Sequence, residues 1–225
     1  MGIWKYISNI GCNAQLDEAE QRRIRLLSQL NFICAVVLAV YVIAQIFVGV
    51  YWFFPAIAVM VMFIIIDMWL LKIRLYAIAK HFAVLTVSCS ISFFSLTTGD
   101  TYSEALFIPL ITMPLLVFRS KKSSIFYFVL ILLLIVGIKI GQKHVTPLLE
   151  LNSGVIYFFR ALNTLIAAAV TYFITFYFKS ANERYEQKLV DMHDTVAEKN
   201  KEITDSIKYA KRIQESLMPP EKYIE

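Results

Sequence analysis

Ionisable side chains set inside apolar stretches are where chemistry would be expected in this chain. Placing such a group at membrane depth costs on the order of 2.5–3.5 kcal/mol on insertion scales, so each needs a partner or a purpose. Asp67 lies near the end of one apolar stretch, and Lys80 and His81 open the next. The expected use of Asp67 and Lys80 is an ion pair that locks two helices together, in preference to a proton relay. A second group gathers Asp100, Tyr102 and Glu104 with Lys139, Lys143, His144, Tyr157, Arg160 and Asn163. These side chains could line a small polar cavity, with Asp100, Tyr102, Glu104, Arg160 and Asn163 as its ligand-binding residues. Arg160 would pair there with Glu104 or with an anionic ligand. The alternative is a structural Arg160–Glu104 pair among ordinary interfacial charges.

Other chemistries find no support in the residues. The sequence has no phosphate-binding glycine loop, no nucleophile turn of the Gly-x-Ser-x-Gly kind, and 7 glycines in all. His81, His144 and His193 are isolated from one another, and Cys12, Cys34 and Cys89 lie far apart, so neither a metal site nor a disulfide framework is expected. No catalytic residue and no cofactor are expected within these residues.

The elements that must carry the ionisable groups are membrane helices. Of 225 residues, 58% are hydrophobic and only 17% charged, a balance too apolar for a water-soluble globule. Crossing about 30 Å of hydrocarbon takes roughly 20 apolar residues in a helix that satisfies its own backbone. Six stretches meet that requirement: Leu27 to Val50, Trp52 to Leu71, Tyr76 to Leu96, Tyr102 to Phe118, Ser124 to Ile140 and Val155 to Phe178. The first two form a tight pair with an aromatic belt around "GVYW", and Pro114 bends the fourth. Arg22, Arg23, Arg25, Lys72, Arg74, Arg119, Lys121, Lys122, Lys179 and Arg184 fall on one set of connections, against Lys139, Lys143 and Arg160 on the other. Both termini are therefore expected in the cytoplasm of a multi-pass membrane protein, and six spans agree with that by parity. The first apolar run is too long for a cleaved signal, and Tyr6 in "MGIWKY" spoils a myristoylation motif. Residues 1–26 read as a juxtamembrane or interfacial helix with Leu16, Ile24 and Leu27 on one face.

After Phe178 the periodicity changes. Tyr185, Leu189, Met192, Val196, Ile203, Ala210, Ile213 and Leu217 alternate spacings of three and four, with Lys199 and Ser206 in the remaining seam positions. Such a seam calls for a partner, and a parallel homodimer is the simplest. The expected fold class is thus all-α: a six-helix transmembrane domain over residues 27–178, a coiled-coil linker over 179–218 about 60 Å long at 1.5 Å per residue, and a short stretch, 219–225, leading onward. Pro219 and Pro220 end the helix.

The stretch "EKNKEITDSIKYAKRIQESLMPP" resembles the linker just upstream of SpoIIE-type serine phosphatase domains in bacterial sensor proteins, members of the protein phosphatase 2C superfamily. The resemblance rests on Glu198 through Ile203, then Ser206, Ile207, Tyr209, Ala210, Arg212, Ile213, Gln214, Leu217 and Pro219. It implies a catalytic domain beginning near Pro220, holding manganese or magnesium ions on aspartates and acting on a phosphoprotein. That domain is expected to lie outside these residues, so the metal belongs to it alone. The expected function is a sensor that relays a membrane or periplasmic stimulus through Ile203 to Leu217, with membrane lipids and a second copy as partners and nucleic acid excluded. The competing readings are a small six-span transporter or channel subunit and a passive dimerising membrane anchor. No clear inverted repeat favours the transporter.

Overall fold

The computed structural model describes residues 10–12, 16–99, 101–144, 147 and 151–217, and it is all-helical, with 89% helix and no strand among the described residues. Among the described residues six α-helices follow one another: α1 (Glu18–Val48), α2 (Phe54–Lys72), α3 (Tyr76–Thr98), α4 (Phe107–Val117), α5 (Lys121–His144) and α6 (Ser153–Leu217). A single 3-10 turn, Ser103–Leu106, leads into α4. Two compact units divide the chain, residues 1–173 and 174–225.

Five helices, all but α4, are long and apolar enough to cross a membrane. Their outward faces agree with that reading, since Phe47, Ile65, Leu133, Leu165 and Tyr172 are each more than half exposed. A soluble protein does not leave so much large apolar surface in water, whereas hydrocarbon accepts it without cost. The fourth expected span differs from the others. Its α-helix covers 11 residues, and with the four of the 3-10 turn it reaches about 25 Å, short of the roughly 30 Å of a hydrocarbon core. Pro114, inside the helix, has no N–H to give the Leu110 carbonyl and so weakens it, and the helix ends at Val117, where Phe118 takes an extended backbone. The Pro114 carbonyl accepts the Phe118 N–H at 3.2 Å and the Ser124 hydroxyl at 3.0 Å, which ties the end of α4 to the first turn of α5.

Within the first unit the helices run alternately up and down. At one end Tyr76 donates to the Gly11 carbonyl at 2.7 Å, and the His81 ring packs against Phe118 and Tyr127 at 4.8 and 5.5 Å between centroids. At the other end Phe53 meets Phe94 at 5.2 Å, and the Gln142 amide donates to the Ser95 carbonyl at 3.1 Å. Gly49, in the left-handed region at φ 76°, closes α1, and the Val50 N–H bonds back to the Gln45 carbonyl. With Pro55 at the first turn of α2, this makes the tight α1–α2 connection. Tyr51 and Trp52 are exposed there, as an aromatic belt requires.

Helix α3 is the centre, packed on α2, α4 and α5. Its buried face carries Ala79, Ala83, Ser88 and Ser95, small residues near every fourth position that let neighbouring backbones approach. The expected juxtamembrane helix is not separate: α1 begins at Glu18 and continues unbroken to Val48, with Ile24 and Leu27 fully buried. Their burial fixes the leader as the first turns of α1.

In the second unit the described chain is one helical stretch, the continuation of α6 to Leu217. Tyr185, Leu189, Met192, Val196, Ile203, Ala210 and Ile213 are all exposed on it. The Leu217 side chain and both prolines lie outside the described residues.

A test of the fold lies at Gly11. Its φ of 81° is one an L side chain adopts at a cost of about 1–3 kcal/mol, and a Cβ there would sit 2.8 Å from the Leu71 carbonyl oxygen. Gly11→Ala is expected to lower the unfolding midpoint of the chain in lipid nanodiscs, while Gly49→Ala, with open space around it, costs less. Equal midpoints for the two variants would show that the Gly11 contact does not hold the α2–α3 turn.

Candidate functional site

Two polar clusters stand out in the first unit, one near each end. The first surrounds Asp67 and Lys80, which the structure does not pair. Asp67, 2% exposed, takes a hydrogen bond from the Asn31 amide at 2.5 Å. Lys80 forms its ion pair with Glu20, whose other oxygen takes Arg23 at 3.3 Å. The reason is depth. Glu20 and Asn31 lie on one face of α1, about 16 Å apart along its axis at 1.5 Å per residue. The long stem of Lys80 lets its ammonium reach outward to Glu20, while the short Asp67 side chain stays at the level of Asn31. Asp67 Oδ1 is buried without a hydrogen-bond partner. Sequence reasoning overlooked Asn31 and Glu20. The available signal was their spacing, since positions 20, 24, 27 and 31 form a single helical stripe.

The second cluster holds most of the expected ligand-binding residues, with altered pairings. Glu104 pairs with Lys139 of α5, not with Arg160. Arg160 stacks on the Tyr102 ring at 4.3 Å and faces the Tyr157 ring at 5.5 Å. The Lys139 ammonium lies 6.0 Å from the same Tyr102 ring. Tyr102 itself sits in the left-handed region at φ 56°, uncommon for an aromatic residue, and its backbone turn aims the ring toward Arg160. The early turn after α3 explains the exchange of partners. It swings Glu104 onto α5 and leaves Tyr102 to face α6. Asp100 lies outside the described residues.

Asn163, 1% exposed, is the most fully engaged residue in this cluster. Its amide nitrogen donates to the Thr101 carbonyl at 2.8 Å and reaches the Ser103 hydroxyl at 3.4 Å. Its carbonyl oxygen accepts from the Tyr41 hydroxyl of α1. The 101–103 turn is held in place by hydroxyl contacts from Thr98 to Thr101 at 2.7 Å and from Thr101 to Ser103 at 2.9 Å. Gln142 of α5 adds a bond to the Gly99 carbonyl at 3.3 Å. One amide on α6 thus joins α1 and the turn after α3. Tyr41, Thr98 and Thr101 were missed by sequence reasoning because hydroxyl residues in apolar helices usually bond back to their own helix, as Thr86 and Ser88 do here.

Among the described residues no group of three or more His, Cys, Asp or Glu side chains could hold a metal ion. Fold and clusters together define an all-helical membrane protein with polar fasteners between its helices. No protein-family model matches the chain, and no curated protein or solved structure matches it either.

The exchange of partners at the first cluster can be measured. Double-mutant cycles in nanodiscs with Glu20→Gln, Lys80→Met and Asp67→Asn are expected to give about 1 kcal/mol or more of coupling between Glu20 and Lys80, and less than about 0.5 kcal/mol between Asp67 and Lys80. The reverse order would restore the Asp67–Lys80 pair.

Proposed function

We propose that this chain is the membrane input and relay portion of a dimeric bacterial signalling receptor, whose output is a SpoIIE-type serine phosphatase domain attached beyond the helix. The observation that carries the reading is the continuity of α6. A helix that begins among the membrane helices at Ser153 runs without interruption to Leu217, and over residues 185–213 its apolar seam is exposed. A displacement of α6 among its neighbours can therefore be passed along a single hydrogen-bonded rod. Exposed Leu189, Val196 and Ile203 favour a second copy as the cover, in a parallel coiled coil weakened at Lys199 and Ser206.

On this reading the chain crosses the membrane six times, an even number that agrees with two cytoplasmic termini. The short α4 would be the sixth on this reading. Its far end, at Phe118, is level with His81 in the second turn of α3, and its start, at Glu104, meets Lys139 near the end of α5. A span a few ångströms short is accommodated by local thinning of the bilayer at a modest cost. The distribution of Lys and Arg favours cytoplasmic termini on this arrangement. Phosphatase as the output rests on the resemblance of Glu198 to Pro219 to the linkers of that family.

The transporter reading asks for membrane-embedded charges that face a substrate path. Here Lys80 and Glu104 are each taken up by a neighbouring helix. A passive anchor would share the dimer but not its response.

Cysteines in the seam decide the matter. In intact membranes Leu189→Cys and Val196→Cys are expected to form disulfide-linked dimers several-fold more efficiently than Asp194→Cys, which lies off the seam. Replacing both Lys199 and Ser206 with Leu should raise the yield further and lock any attached output in one state. Monomers at every position would refute the dimeric relay, and unaltered regulation with both seam positions apolar would leave only an anchor.

A further inference from the structure

Helices α1 to α5 pack broadly on one another, whereas α6 engages them along a narrow stripe. In the first unit that stripe is Phe159, Asn163, Ile166 and Ala167, while Tyr157, Leu165 and Tyr172 face outward. Lipid is as apolar as a helix surface, so no hydrophobic gain holds α6 in place and polar contacts such as those of Asn163 carry unusual weight. We propose that Asn163 is a releasable clasp that sets the position of α6, and that the 101–103 turn is the element that opens it.

The geometry points to the turn for three reasons. Both acceptors of the Asn163 amide, the Thr101 carbonyl and the Ser103 hydroxyl, belong to it. Arg160, three residues earlier on α6, stacks on Tyr102 of the same turn, so two side chains of α6 register its position. Tyr102 holds a left-handed backbone and an exposed ring, so the turn combines an uncommon conformation with access from outside. A shift of the turn withdraws both acceptors together. The amide is then left buried without partners, and α6 must rotate or slide to satisfy it. Tyr41 on α1 keeps hold of the carbonyl oxygen and serves as the fixed side of the clasp.

The clasp is a property of the membrane helices alone, while its use in signalling rests on the relay reading above. Its test is a spin-label distance measurement on the full chain in nanodiscs, diluted with unlabelled chain. One label pair sits at exposed Ile65 of α2 and Tyr172 of α6, and a control pair at Ile65 and Leu85 of α3. Asn163→Leu is expected to shift the α2–α6 distance by about 1–2 Å or to add a second population, with the α2–α3 distance unchanged. Tyr41→Phe removes one bond from the same amide without adding bulk, and should broaden the α2–α6 distribution even where Asn163→Leu does not fold. An unchanged α2–α6 distance in the folded variants, or equal broadening of the control pair, overturns the clasp. A changed distance with unaltered cross-linking at Leu189→Cys keeps the clasp and refutes the relay.

Discussion

A polar group in hydrocarbon has no water to fall back on, and this one constraint organises the membrane unit. Backbones meet it by forming helices, and side chains meet it by finding each other across helices. Asp67 with Asn31, Lys80 with Glu20, Glu104 with Lys139 and Asn163 with Tyr41 are four answers to the same demand. Interhelical hydrogen bonds of this kind are worth about 0.6–2 kcal/mol each. Since burial of apolar surface contributes little between helices in lipid, a handful of such contacts decides which helix lies beside which.

The same constraint separates a fixed part from an adjustable one. Helix α3 is fixed by small residues that admit close backbone packing on its neighbours, and dispersion summed over that surface exceeds any one polar contact. Helix α6 lacks such a face. Its buried stripe is narrow, and a polar residue lies at the middle of it. A helix held by few contacts has neighbouring positions of similar free energy, which is what a two-state element requires.

Much of this architecture was legible in the sequence, because the spans are long apolar runs and each boundary is marked by a turn residue or a charge. Gly49 of "GVYW" at the first connection, and Arg119 just before α5, fall between helices as the pattern put them. What the sequence could not convey is which charges meet. Asp67 and Lys80 are neighbours in the chain, and the apparent pairing follows from that nearness. Their true partners lie 36 and 60 residues away on α1, and only packing brings α1 beside them. The fourth span misled in another way: its composition is that of a crossing, but Pro114 and the 3-10 turn alter its length, which composition does not report. Asn163 was recognised as important while its partners were not, since those partners are the Tyr41 and Ser103 hydroxyls and the Thr101 carbonyl, which have no distinctive mark in a sequence.

The arrangement also explains why sensing and relay would be joined at α6 and not at a better-packed helix. A rod can transmit only motion that its membrane end is free to make, and α1 to α5 restrain one another on several sides. Moving α3 would disturb its packing against three helices at once, a cost spread over many contacts. Moving α6 disturbs the Asn163 amide, the Arg160–Tyr102 stack and a short apolar stripe among its contacts. If the exposed seam beyond Phe178 pairs with a second copy as proposed, that motion gains a consequence, because two such helices in register would couple a small rotation of each to the packing of both. On the proposed relay, a weak attachment in lipid and a seam interrupted by Lys199 and Ser206 would be matched features: each would leave its part of the helix close to the balance between two arrangements, so that a modest stimulus would suffice to shift it.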